Sequence, residues 1–433
     1  MREHHASEAI RKASLRLIPF LCVSYVVNFL DRVNVGFAAL AMNEDLGFTP
    51  EVFGFGAGIF FVGYILFEVP SNLALHRFGA RLWIARIMIS WGLVATAMAL
   101  VAGETSFYVL RFLLGVAEAG FFPGIILYLT YWFPREERAR IVSVFMTAVP
   151  IATVIGGPLS GALLGLHGLG GIAGWRWLFI IEGLPAVLLG MLALKALPDR
   201  PRHASWLSRD EAQALEDRLA EQAHETRQHG YEGLGQALLN PRVLLLGITY
   251  LCLVIGLYGI GFWMPQVIKT IGLSNLQIGL LTAMPYLVAA IGMVVAGRHS
   301  DKTGERVWHV ALPLFLGAGA FAWSAFAGPL PLVMLALSLA ALGIHAALGT
   351  FWSLPTAILT GVGAAGGLAL VNSIGNCGGF IGPFVFGWLR GTAGTFAPAL
   401  AFLAGALLVS GLLALLFGRL ARIRPGAGER FRS

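Results

Sequence analysis

Long apolar runs alternate with short polar connectors along the 433 residues, the runs being centred near residues 28, 63, 91, 118, 151, 185, 254, 286, 317, 341, 375 and 406. Each can hold a helix of about 20 residues, which at 1.5 Å per residue crosses a hydrocarbon core of about 30 Å. The pattern predicts an all-α membrane protein of twelve transmembrane helices. It is interrupted at Pro198, after which the polar stretch to His229 is incompatible with lipid. Ser208-Arg209-Asp210-Glu211 has the spacing of a capping box and predicts a helix in this connector. Leu207, Leu215 and Leu219 give that helix only a thin apolar stripe, the mark of a solvated linker. The chain thus divides into a six-helix bundle over 1–197, a cytoplasmic linker with an amphipathic helix over 198–240, and a second six-helix bundle over 241–433.

The two bundles repeat one another. Asn72 to Arg81 after the second run resembles Gly297 to Arg306 after the eighth, and Gly157-Pro158 in the fifth run matches Gly382-Pro383 in the eleventh. The offsets 301 − 76 and 382 − 157 are both 225 residues. Two motifs at one offset indicate duplication of six helices into six, a parallel repeat related by a pseudo-two-fold axis.

Composition agrees: 57% of residues are hydrophobic, 12% are charged and the mean hydropathy is +0.76, whereas soluble chains are about 45–50% apolar. The net charge of +7 forms no basic domain and so points to no nucleic acid. The bases sit in connectors on one side, among them Lys12, Arg77, Arg81, Arg298, Lys302, Arg306, Arg419, Arg422 and Arg424. The opposite connectors carry Glu44, Asp45, Glu51 and Glu104, with Lys269 and Arg390 almost the only bases. By the positive-inside rule both termini are cytoplasmic. Cys22, Cys252 and Cys377 lie in apolar runs without metal-ligand spacing and read as small core residues. The first run is too long for a signal-peptide core and reads as an uncleaved span.

The candidate chemistry lies inside the spans. Asp31 and Arg32, near mid-depth in the first run, and Arg111 and Glu118 in the fourth are charges that cost roughly 2.5–3.5 kcal/mol each to insert, so they are expected to face a bundle interior or a watery cavity. Arg111 and Glu118 are two helical turns apart on one face, and Gly115 with Ala119 would let the first helix approach the fourth. A static ion-pair network is one reading of these four groups. Transport is the stronger one, because buried pairs stabilise weakly once desolvation is counted. Two acids and two bases sum to zero, and protonating both acids leaves a site that attracts an organic anion. Proton and anion binding then favour one another, as symport requires. A guanidinium grips a carboxylate with two parallel hydrogen bonds, which suits Arg32 to the substrate, while Arg111 is placed to set the proton affinity of Glu118.

Asn372 and Asn376, four apart in the eleventh run, present two amides that either contact substrate or bond between helices. Tyr64, Tyr258, Trp263, Trp352 and Ser353 are candidates to line the same cavity. Glu68, near Arg77 and Arg81, and Glu182, shortly after Arg176, read as structural pairs, and His345 as a buried core histidine. No phosphate-cradling loop of the GxxxxGK type and no catalytic or metal constellation is present in the sequence, which argues against an ATP-driven pump or an enzyme. No cofactor is expected beyond the proton as coupling ion.

Arg77, Gly79 and Arg81, and again Asp301, Lys302, Gly304 and Arg306, resemble the loop motif of the major facilitator superfamily, with His76 where the usual acid stands in the first copy. Phe29 to Gly36, Val69 to Asn72, Arg111 to Pro123 and Asn372 to Asn376 together resemble its anion:cation symporter family, closest to bacterial tartrate, phthalate and hydroxyphenylacetate permeases and more distantly to galactonate and hexuronate transporters. The resemblance covers essentially the whole chain. It implies a proton-driven importer of a small carboxylate in the bacterial inner membrane, working by alternating access; a monomer is expected, although the residues themselves do not fix the oligomeric state. It also implies that Asp31 and Glu118 carry protons, that Arg32 and Tyr64 face the substrate, and that Arg111 partners Glu118. An aliphatic diacid, a sugar acid and an aromatic acid all suit these residues. Proton-antiporting export is the alternative, because Gly157-Pro158-Leu159-Ser160-Gly161 resembles the tail of an antiporter motif, although Thr153 and Val144 stand where further glycines belong.

Overall fold

The computed structural model of the chain describes residues 2–228, 240–270, 272–358 and 361–421. The end of the expected linker, 229–239, and Arg422 and Arg424 lie outside the described residues. The first half holds α1 (Arg2–Leu46), α2 (Pro50–Phe78), α3 (Ala80–Ala97), α4 (Glu104–Glu118), α5 (Phe121–Thr130), α6 (Arg135–Met146), α7 (Ala148–Leu164) and α8 (Gly174–Ala196). After the connecting helix α9 (Arg209–Gln228), the second half holds α10 (Pro241–Lys269), α11 (Asn275–Thr303), α12 (Val307–Ser324), α13 (Leu330–Phe351), α14 (Ser353–Ile358), α15 (Gly361–Ala393) and α16 (Ala397–Ala421). Among the described residues twelve helical stretches are long and apolar enough to cross a membrane, as the hydropathy pattern predicts. Their starts use ordinary caps. Thr49 accepts from the Val52 amide at 3.3 Å ahead of Pro50, and Ser274 with Gln277 forms a capping box.

The fourth span is two helices rather than one. Helix α4 stops at Glu118, Gly120 takes a left-handed conformation with φ +84°, and α5 restarts at Phe121. A side chain at 120 would be strained in that conformation and would run into Ser71 of α2. Irregular backbone at membrane depth persists only where protein or a cavity lines it.

Contacts between the halves pair α2 with α15 and α7 with α11, positions that exchange under the 225-residue repeat. Backbones come close at the end of the bundle opposite the chain's termini, and between α2 and α15 the contact continues to Glu68 and Asn372. A Cβ on Gly54 would lie 2.6 Å from the Pro383 carbonyl, and one on Gly157 or Gly279 would run into the carbonyl of the other. Backbone meets backbone there, and this end of the seam is closed. We expect Gly279→Leu to part it: the spacing between labels at that end should lengthen in pulsed electron spin resonance of the purified protein, and an unchanged distance distribution would show that the seam has room to absorb the side chain.

The connecting helix departs from expectation. It docks on the first half, with Ala6, Ala9 and Ala13 of α1 and Ala212 and Leu215 of α9 all buried where the two pack. Lys12 donates to Glu211 at 2.6 and 2.9 Å, Trp206 stacks on Trp132 with centroids 5.5 Å apart, and the capping box forms, the Ser208 amide donating to Glu211 at 2.9 Å. Alanines on α1 let α9 approach closely, a packing that a count of leucines does not register. The Lys12 ammonium, and after it the Ser208 amide, hold the Glu211 carboxyl below its ordinary range. A value lower in the folded than in the unfolded chain means that this docking contribution is complete above about pH 4.3 and is lost as pH falls through the depressed value. At neutral pH Glu211→Gln should cost at most about 1 kcal/mol, read as roughly five-fold faster hydrogen exchange along α9.

Candidate functional site

Neighbours on a helix are turned about 100° apart, so Asp31 and Arg32 face different surroundings. Arg32 of α1 is 8% exposed and donates to Glu118 Oε1 at the end of α4, forming a buried ion pair. Its other terminal nitrogen donates to the Tyr258 hydroxyl of α10 at 3.1 Å, which ties the pair to the second half. The guanidinium lies 5.4 Å from the ring centres of both Phe60 and Tyr64. Glu118 is fully buried, and its second oxygen has no hydrogen-bond partner among the described residues. Asp31 turns the other way, into the first half, where Oδ2 accepts from the Trp91 indole of α3 at 2.8 Å. The four charges therefore do not ring one vestibule. Arg32 and Glu118 stand at the junction of the halves, and Asp31 stands behind them.

Arg111 corrects a second expectation. It does not pair with Glu118 but donates to the backbone carbonyls of Gly56 at 3.2 Å and Ala57 at 3.0 Å, with Phe60 and Phe262 against its face. The cause is packing: Gly115 turns toward α2, where a Cβ would run into the Phe60 carbonyl, so α2 rather than α1 comes close to α4 and offers acceptors nearer than a carboxylate two turns away. At 1% exposure, bound to two carbonyls, Arg111 braces α2 against α4.

In the second half, Asn372 donates to Glu68 Oε1 at 3.1 Å across the seam, which replaces the expected pairing of Glu68 with Arg77 or Arg81. Asn376, one turn further on, is half-buried. Trp352 lies edge-on to Tyr250 at 5.0 Å, and the Ser353 hydroxyl donates to the Thr350 carbonyl at 2.6 Å, so both cap the break between α13 and α14. Trp263 is buried and bonded to the Pro383 carbonyl at 3.3 Å. His345 is 4% exposed, with Nδ1 2.9 Å from the Ala341 carbonyl, as a core histidine. Glu182 accepts from Ser160 at 2.9 Å instead of pairing with Arg176, whose guanidinium goes to the carbonyls of Ala99 and Val101.

At the termini end, the two copies of the loop solve one problem in two ways. In the second, Arg306 donates to Asp301 at 2.5 Å and to Ser300 at 3.0 Å, Gly304 closes α11 with φ +69°, and Lys302 is exposed. In the first, with His76 at the acid's position, Arg81 turns to Asp199 beyond α8: its amide donates to Oδ1 at 2.9 Å and its guanidinium lies 3.7 Å from Oδ2. The same carboxylate sits against Gly79, while Arg77 rests over Phe78 at 5.6 Å. Asp199 and Trp91 are the residues that the sequence did not single out. The 225-residue repeat exposes the missing acid at 76, though not its replacement. At the closed end a cavity of about 480 Å³ is lined by Asn43, Gln266, Lys269 and Arg390, the last two being bases of that side.

Residues 21–382 match the family described as Major Facilitator Superfamily. An Agrobacterium vitis protein named "Putative tartrate transporter" is 52% identical over 416 residues, covering 96% of each chain. A "Quinolone resistance transporter" of Acinetobacter baumannii is 44% identical over 397 residues, covering 92% of each. Among solved structures, a bacterial homolog of the human lysosomal transporter Spinster, inward-facing and occupied, superposes with a TM-score of 0.75 at 19% identity over 94% of this chain and 96% of that one.

Proposed function

The chain belongs to the Major Facilitator Superfamily, a transporter and not an enzyme, and from that premise we propose that it imports a small organic anion together with protons. The observation that carries the reading is the buried Arg32–Glu118 pair bonded to Tyr258 across the two halves. While Glu118 is ionised it occupies the guanidinium. A proton on Glu118 removes the competing charge and frees Arg32 for a substrate carboxylate, so proton and anion bind in mutual support. Tyr64 and Phe60 would flank the bound acid, and Asn372, released from Glu68 as the seam shifts, would meet its far end. Lys269 and Arg390 at the closed-end cavity would draw anions toward the seam when it opens. That end would be the periplasmic one if bases mark the cytoplasmic side of an inner membrane. Rocking of the halves about the site gives alternating access.

The relative named for tartrate favours a small hydroxy diacid as the first substrate to try. With two protons such a dianion would move without net charge. The test is uptake into proteoliposomes: labelled tartrate should accumulate when the outside is acidic and fall to background when an uncoupler collapses the gradient, whereas accumulation that ignores the gradient would refute coupling. The relative named for quinolone resistance supports a second reading, extrusion. Inverted vesicles decide between them, since only an exporter concentrates substrate in exchange for protons leaving the lumen.

A further inference from the structure

Glu182 has no part in that cycle, yet it lies in the same polar core as Asp31. Five elements of the first half enclose this core. Helix α1 contributes Asn28, Asp31 and Asn34 at intervals of three, so they share a face, while its Arg32 is turned to Glu118. Trp91 of α3 donates to Asp31 at 2.8 Å, and Ser160 of α7 donates to Glu182 of α8 at 2.9 Å. Glu118 of α4 is the remaining charge within electrostatic reach of Asp31, beside Glu182 itself. Asn34, 2% exposed, lies against Glu182 one turn beyond Asp31.

Neither carboxylate has a basic partner among the described residues. Arg32 is held by Glu118, and Arg176, the nearest base in sequence on α8, is held by carbonyls. Each acid has one oxygen satisfied and one not: Asp31 Oδ1 and Glu182 Oε2 are buried without a partner, as are the Asn34 amide nitrogen and both polar atoms of Asn28. Two carboxylates buried together with no cation are not both ionised. The charge is cancelled by a proton or by a metal cation, and the donors already present occupy one oxygen of each acid, leaving the other to carry it.

We propose that Asp31 and Glu182 hold one exchangeable proton between them, with Glu182 as a further coupling residue that passes protons between the closed end and Asp31. The inference rests on the proposed coupling of import to protons and extends that coupling to Asp31. The step is a simple transfer: the O–H bond at Glu182 Oε2 breaks as Asp31 Oδ1, directly or through a water, takes the proton, and no electrons change hands. Asn34, between the two along α1, orients the path without titrating.

Proteoliposomes of the full chain supply the first test. Glu182→Gln should lower proton-driven accumulation at least ten-fold while tartrate exchange without a gradient persists, and the double variant with Asp31→Asn should be no worse than Asp31→Asn alone. Wild-type accumulation in Glu182→Gln, or losses that multiply in the double variant, would overturn the pair. If Glu182→Gln does not fold, Ser160→Ala removes the donor and keeps the acid; it should shift the pH profile of uptake by half a unit or more, and an unmoved profile would count against the pair. A transport-independent measurement separates this inference from the proposed function. In sodium-free detergent solution, the infrared carbonyl band of a buried protonated carboxyl should be present in the wild type and altered by Glu182→Gln even if no carboxylate is carried. No such band, or a thermal stabilisation by sodium chloride over choline chloride that Glu182→Gln removes, would overturn the proton in favour of a metal cation or none.

Discussion

Glu118→Gln is expected to abolish uphill accumulation of substrate, to background, while counterflow between equal pools persists. The amide keeps the shape of the carboxyl and an oxygen that Arg32 can donate to, but it can neither gain nor lose a proton. With Gln in place the guanidinium is permanently released from its competing charge, so the site resembles the proton-loaded state: it binds anion and cycles, but nothing couples the cycle to the gradient. Truncation would confuse the result, because Glu118→Ala leaves the buried guanidinium with neither a counter-charge nor an acceptor on that side, a change that costs about 3–5 kcal/mol of stability. Uptake driven by an imposed pH gradient and counterflow, both measured in the same liposomes, check the prediction. Accumulation at the wild-type level would return Arg32–Glu118 to the role of a static pair, which the weak net stabilisation of buried pairs otherwise argues against.

What the sequence could and could not reveal follows from the range of each signal. Twelve spans were legible because about 20 apolar residues in a row have few other uses, and the two-fold repeat because two motifs shared one offset. The partner of Glu118 was not. Sequence spacing offered Arg111, two turns away on what reads as one helix, and concealed both the break at Gly120 and the approach of α2 through Gly115 that gives Arg111 to carbonyls instead. Arg32 lies 86 residues away in the chain, and only packing brings it in. Trp91 was unreadable for another reason. In an apolar run an indole counts as a packing residue, and its single N–H acquires meaning only when a carboxylate stands opposite. Glu68 and Glu182 read in the sequence as acids near span ends paired with the bases nearest along the chain, whereas across a bundle their partners are an amide and a hydroxyl on other helices.

Arg32→Lys should raise the apparent KM for substrate by about ten- to a hundred-fold despite conserving the charge. The guanidinium in the structure spends its two terminal nitrogens in two directions, one on Glu118 and one on Tyr258, above the faces of Phe60 and Tyr64. When a carboxylate replaces Glu118, that fork presents parallel donors to both oxygens, and the ring faces hold its plane. An ammonium offers a single point of charge, is more strongly hydrated and gains less from the rings. Losing one charge-assisted hydrogen bond is worth about 1.5–3 kcal/mol, and each 1.4 kcal/mol is a factor of ten in affinity. Counterflow at saturating substrate should suffer less than uptake at low concentration, because the deficit lies in binding. The same substitution at Arg111 should instead appear as lowered thermal stability with KM little changed, since there the donors serve the carbonyls of α2. If Arg32→Lys leaves KM unmoved while Arg111→Lys raises it, the substrate is held by the arginine of α4, and the Arg32–Glu118 pair is a gate rather than a binding site.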